Sequence, residues 1–114
     1  MKPKVRFTAI FFKDPVTGTQ PVKEWLAGLP KTEKKKVGQD LMFLQFNWPV
    51  GMPRARHLRK ELWEQRTSLN KRIARVLFVI QQKNIILLNG FIKKTQQTPP
   101  EEIELAFKRL KLME

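Results

Sequence analysis

The sequence predicts an α+β domain in which helices pack on an antiparallel-dominated sheet of four strands, with an N-terminal helical hairpin and one closing helix. Three observations predict it. Residues 4–12, 62–68, 72–80 and 84–92 are rich in Val, Ile, Leu and Phe and either alternate with polar residues or stay apolar on both faces, which is strand patterning. Residues 21–29 and 32–44 repeat apolar residues at three and four, the spacing of one helix face. Thr98-Pro99-Pro100-Glu101 has the form of a capping box with proline at the first helical position. A chain of 114 residues suffices for one core. It buries roughly 65% of its unfolded surface, so residues 1–114 are expected to form a single domain.

The first strand runs from Lys4 to Phe12, with Val5, Phe7, Ala9 and Phe11 alternating with Arg6, Thr8, Ile10 and Phe12. Both sets are partly apolar, so this strand is packed on one side and partly covered on the other. Asp14-Pro15-Val16-Thr17-Gly18 ends it as a turn. Pro21 opens a helix whose Val22, Trp25, Leu26 and Leu29 share a face, and Pro30 stops it. Thr32 is the expected cap of a second helix, where Val37, Leu41 and Leu44 continue the apolar stripe and Lys34, Lys35 and Lys36 face solvent. Residues 47–53 hold two prolines and a glycine, and form a loop into the basic segment Arg54-Ala55-Arg56-His57-Leu58-Arg59-Lys60. The strands that follow are joined by Leu69-Asn70-Lys71 and Gln81-Gln82-Lys83, connections so short that they imply antiparallel hairpins. The strand from Arg72 to Ile80 is apolar on both faces and therefore central, with Arg75 a cation on an otherwise apolar face. In the last helix Ile103, Ala106, Phe107 and Leu110 form the buried stripe.

Charge is the abnormal quantity. Lys and Arg number 23 against 10 Asp and Glu, a net charge of +13, and residues 51–98 alone carry eleven basic and two acidic side chains. The partner this implies is a polyanion. Nucleic acid comes before an anionic membrane surface, because clustered Lys and Arg gain affinity by releasing counterions from phosphates. The absence of Cys excludes disulfides, thiolate nucleophiles and cysteine-ligated zinc, and one His with scattered acids offers no metal cluster. No apolar run approaches the roughly 20 residues of a membrane span. The start, Met1-Lys2-Pro3-Lys4, leads into no cleavage site and reads as structure, so a cytoplasmic location is expected. Neither a glycine-rich phosphate loop nor a serine nucleophile motif is present, and no cofactor is expected.

What remains is cations. Arg66 near the end of one strand, Arg75 on the next and Lys93 at the end of the last strand converge on one sheet face, since antiparallel neighbours lie about 5 Å apart and alternate residues share a face. Three clustered cations repel one another, and an anion that neutralises them explains the cluster. That makes a phosphate site, with Arg giving bidentate contacts and Lys a point charge. The plainer alternative pairs Arg66 and Arg75 with Glu64 and Glu61, but two acids cannot neutralise the eleven basic residues of the segment. His57 lies between Arg56 and Arg59 and can act as a base or contact RNA, its plainer reading being a surface histidine. Trp25, Trp48 and Trp63 read as packing, with Trp48 in its loop the one open to base stacking.

Leu62-Trp63-Glu64-Gln65-Arg66, Arg75-Val76-Leu77-Phe78, the run from Leu88 through Phe91-Ile92-Lys93-Lys94-Thr95 to Pro99, and Glu102-Ile103-Glu104-Leu105-Ala106 together resemble the HigB-type, phage Gp49-like branch of the RelE/ParE toxin superfamily. The resemblance implies a RelE-like fold and a toxin that cleaves messenger RNA on the translating ribosome, silenced by a HigA-like helix-turn-helix antitoxin through which alone it would meet operator DNA. It assigns Arg66 to the arginine ending the Leu-x-Glu-x-Arg strand, Arg75 to the arginine opening the next strand, and Lys93 to the basic residue ending the last strand. The tyrosine or histidine that some relatives carry near the C-terminus has no counterpart, as the chain has no Tyr.

The implied reaction is metal-free attack of the RNA 2′-hydroxyl on the adjacent phosphate. Arg66 and Arg75 would stabilise the charge on the pentacoordinate phosphate, Lys93 would hold the phosphate or exchange protons, and Glu64 or His57 is the candidate base. Arg54, Arg56, Arg59, Arg72 and Lys94 would track the RNA backbone. Two alternatives of other classes stand beside it, a ParE-like inhibitor of DNA gyrase without nuclease activity and a non-catalytic RNA- or ribosome-binding protein. The antitoxin should carry acidic residues that cover the basic face.

Overall fold

The structure is a computed structural model that describes residues 6–114. Along the chain lie β1 (Thr8–Phe11), α1 (Pro21–Ala27), α2 (Lys31–Asn47), β2 (Ala55–Arg59), β3 (Leu62–Leu69), β4 (Arg72–Gln81), β5 (Asn84–Lys93) and α3 (Pro100–Leu112). The strands form one sheet in the order β1-β5-β4-β3-β2. β1 runs parallel to β5, and the other three pairings are antiparallel. The α+β architecture is as expected, and the strand expected to be central, β4, is the middle one of five.

Alternation along β4 divides the core in two. Ala74, Val76 and Phe78 face α1 and α2, where they pack with Val22, Val37, Leu41, Leu44 and Trp48. Leu77 and Val79 face α3, where Leu62, Ile86, Leu88, Phe91 and Ala106 join them. The helix stripes read from the sequence are the buried ones. Trp48 is buried edge-on against Trp63 and Phe78, at 4.9 and 5.3 Å between ring centres, so it packs the core and offers no stacking platform.

Four expectations need correction. The sheet has five strands, because the basic segment, for which no strand was expected, forms β2. Its Ala55 is buried and its Leu58 packs against the α3 cluster, while four long cationic side chains at Arg54, Arg56, Arg59 and Lys60 hide that alternation in the sequence. The helical hairpin is two helices laid separately on the sheet, α1 mainly against β5 and α2 mainly against β3. Sheet burial outweighs helix–helix packing for stripes this narrow. Neither expected side-chain cap forms: α2 starts behind Pro30 and α3 behind Pro99, each without a capping hydrogen bond. The first strand is shorter than expected, since Arg6 and Phe7 form a bend whose amides donate to Gln45 O of α2; Lys4 and Val5 lie outside the described residues.

Candidate functional site

Register builds the site. β3 and β4 pair Arg66 with Arg75 and Glu64 with Leu77, while β2 pairs Arg56 with Glu64. β5 sets Phe91 against Arg75 and Lys93 against Ile73. Paired residues share a face, so Arg56, Glu64, Arg66, Arg75 and Lys93 stand together on the α3 side, with Lys93 diagonal to Arg75 at roughly 7–8 Å. α3 covers one end of this face through Leu77, Val79 and Leu88. The charged end lies under the segment 94–99.

That segment is fastened at three points. Arg75 donates from Nη1 to Gln97 O at 2.7 Å and from Nη2 to Thr95 O. Thr98 Oγ1 donates to Glu64 Oε2, which explains why it does not cap α3. Arg66 Nη2 donates to Gln96 Oε1 at 2.7 Å. Beneath these contacts Arg66 Nη1 lies 3.6 Å from Glu64 Oε1, with the Arg66 side chain 8% exposed and that of Glu64 fully buried. Arg75 is fully buried as well. Burial pulls its guanidinium below the ordinary arginine value; Glu64 opposes this, and Arg66 and Arg56 add to the lowering. Cation repulsion is thus built into the face. Glu64 Oε1 and Arg75 Nε make no hydrogen bond, so even the buried part is incompletely satisfied.

Residues 24–111 match the family described as Phage derived protein Gp49-like (DUF891). The chain belongs to that family. It is a toxin–antitoxin-related family, and its match takes in the whole path from α2 to β5, including every residue of the charged face. A comparison with curated proteins found no match.

In this Gp49-like chain the site residues expected from the sequence fall into two groups. Arg56, Glu64, Arg66, Arg75 and Lys93 meet on the α3 side, and Arg59 joins them with its guanidinium 5.1 Å from the Phe107 ring. His57 does not. It pairs with Trp63 on the opposite face, rings 5.1 Å apart, with Nε2 2.6 Å from Lys60 O. A sheet therefore separates it from Glu64 and Arg66. Arg54 and Arg72 sit toward α2: Arg54 lies 3.8 Å over the Phe43 ring and 3.6 Å from Asp40, and Arg72 pairs with Glu33. Lys93 and Lys94 are exposed, and Lys94 borders a shallow groove with Lys71, Arg72 and Gln96.

Sequence reasoning missed the fastening segment. Gln96 and Thr98 are central to it, and the sequence signal for Thr98 pointed elsewhere, because Thr-Pro-Pro-Glu has the spacing of a helix cap. Among the described residues no three His, Asp or Glu side chains gather as a metal site, and no helix is long and apolar enough to cross a membrane.

Proposed function

We propose that this chain is the toxin of a HigB-type toxin–antitoxin pair in the RelE/ParE superfamily, a metal-independent endoribonuclease that cuts messenger RNA on the ribosome in the cytoplasm. The observation that carries the reading is the gathering of Arg56, Arg66, Arg75 and Lys93 on one sheet face with the Glu64 carboxylate among them. Membership of a toxin–antitoxin-related family supports it.

The roles follow from exposure. An RNA phosphate takes the place of Gln96 on Arg66 Nη2, and Arg56 and Lys93 complete its cradle. The 2′-hydroxyl gives up its proton to solvent water as its oxygen bonds to phosphorus, the bond to the 5′-oxygen breaks, and the exposed Lys93 ammonium protonates the departing oxygen. Arg66 stabilises the developing charge on the phosphate. Glu64 is sealed and already accepts from Thr98, so it aims Arg66 and does not serve as the base. Arg75 acts one step back, holding the segment that carries Gln96. The partner that silences the toxin is a HigA-like helix-turn-helix protein whose acidic residues cover this face.

The test is induction of the chain, Arg66→Ala and Lys93→Ala in a bacterium, with 5′ ends of cellular mRNA mapped within minutes and folding checked by circular dichroism. New cuts inside translated regions, lost in both folded variants, are expected. Growth arrest without new ends would replace the nuclease by a gyrase-type inhibitor, and no arrest would leave an RNA-binding protein.

A further inference from the structure

A second concavity lies beside the charged face, at the rim of β3. It is a groove of about 360 Å³ between α2 and the stretch leading into β2, walled by Lys36, Gln39 and Asp40, by Arg54, and by Arg66 and Thr67. That volume is at the lower end of small-ligand pockets, roughly 300–1,000 Å³. Its lining differs from the cationic face in that its carboxylate, Asp40, is partly exposed, whereas Glu64 is fully buried. We infer that this groove is a nucleobase subsite for the RNA strand whose phosphate engages Arg66, and that Asp40 makes it favour bases bearing an amino group over uracil. The inference rests on the RNA reading given above.

Three features carry it. The guanidinium carbon of Arg54 lies 3.8 Å over the centre of the Phe43 ring, while half its side chain stays exposed. A guanidinium backed by an aromatic ring on one plane offers the other to a base, the stacking arrangement by which single-stranded RNA is read. Asp40 is the second. A carboxylate among Lys36, Arg54 and Arg66 repels phosphate, so a groove that merely tracked the backbone would be better without it. Its Oδ2 accepts from Thr67 Oγ1 at 2.7 Å, whereas Oδ1 has Arg54 only at 3.6 Å and keeps room for further donors. Adenine, cytosine and guanine bring an exocyclic amino group to such an acceptor. Uracil brings two carbonyl oxygens flanking its N–H, which the carboxylate repels. The third feature is continuity: Arg66 borders this groove and also reaches Gln96 over the cationic face, so one strand can place a phosphate at the first and its neighbouring base in the second.

The test uses the full chain and short oligonucleotides that cannot be cleaved, 2′-O-methyl AAAA, CCCC and UUUU, with binding read by fluorescence anisotropy at low salt. The expected ranking places AAAA and CCCC about tenfold tighter than UUUU. In Asp40→Asn, which keeps an acceptor for Thr67, the gap narrows to about twofold with an unchanged melting curve. Arg54→Lys keeps the charge but loses the plane, and weakens all three together. A flat ranking in the unaltered chain, or a ranking that Asp40→Asn leaves intact, would overturn the inference. So would failure of every oligonucleotide alongside tight binding of a poly-glutamate peptide, which would give the groove to an acidic protein. Failure of the wider reading looks different: an Asp40-dependent ranking without mRNA cuts in cells keeps the subsite and removes the nuclease, while cuts with a flat ranking do the reverse.

Discussion

The two faces of β4 come from one alternating strand and are closed off from water in different ways. On one, Ala74, Val76 and Phe78 join an apolar cluster under α1 and α2, and the buried polar residues paired with Ala74 and Val76, Thr67 and Gln65, are neutral and hydrogen-bonded to each other. On the other, one residue along, Arg75 is as deeply buried as they are, yet it lies beside Glu64 and Arg66. The cover makes the difference. Away from its ends a helix spends its backbone groups on itself and offers a sheet mainly side chains, so its footprint is largely apolar, with Asp40 of α2, which accepts from Thr67, the exception. The segment 94–99 has free carbonyls and hydroxyls to give, and it gives Thr95 O, Gln97 O and Thr98 Oγ1 to buried charges. An irregular cover is what allows a charged centre to sit inside so small a domain.

The sharpest way to break this contrast is Arg75→Ala. It strips the cover of its anchor and leaves Glu64 with less compensation, so a loss of about 3–5 kcal/mol in urea unfolding is expected, with Arg75→Met recovering part of it. A variant as stable as the parent would show that the segment needs no charged anchor. On the apolar face the corresponding attack is Gly90→Ala. A Cβ there would stand 2.4 Å from Trp25 Cε3, so the ring and α1 must lift, at a cost of about 2–3 kcal/mol that Trp25→Ala in the same chain should offset. Thr98→Val comes next. It removes the hydroxyl donor from a buried carboxylate and should cost about 1–2 kcal/mol. Faster amide exchange confined to residues 94–99 would separate a loosened cover from general unfolding.

The smallest effect sharpens the comparison from outside. Asp14 is a charge satisfied at the surface: the amides of Val16 and Thr17 donate to its Oδ1 at 2.8 and 3.1 Å and hold its carboxyl below the ordinary aspartate value. Because the folded value is the lower one, its contribution is present above the unfolded pKa and fades as pH falls through the folded one. Asp14→Ala should therefore lower stability slightly at neutral pH, leave it unchanged below the folded pKa, and so flatten the acid limb of a stability profile. An acid limb identical in both proteins would deny Asp14 that role.

The convergence of Arg66, Arg75 and Lys93 was legible because they sit on consecutive strands joined by tight hairpins, where period two and short turns leave little freedom in register. The helix stripes were legible for the same reason, since each is a local repeat. His57 was not. Its face depends on β2 being a strand, and on a register shift between His57 and Arg59 that no local pattern marks. Thr98 shows the limit from the other side. Its local context satisfies a helix-cap pattern, and a carboxylate 34 residues earlier in the chain takes its hydroxyl instead. Local rules lose where a buried charge makes the stronger demand.

β1 joins the sheet beside β5, with Thr8 opposite Asn84 and Phe11 opposite Leu87. The hairpins β2–β3, β3–β4 and β4–β5 close over short loops, whereas β1 must close a loop of more than seventy residues. Of the strands described, the earliest synthesised is thus the last able to dock, and α2, which reaches its outer edge through Gln45 and the amide of Ala9, can only hold it in waiting. A nascent chain interrupted before Asn84 leaves β1 with no partner. The finished sheet therefore records that translation has passed through β5, and a truncated product carries an unpaired strand end that quality control can recognise.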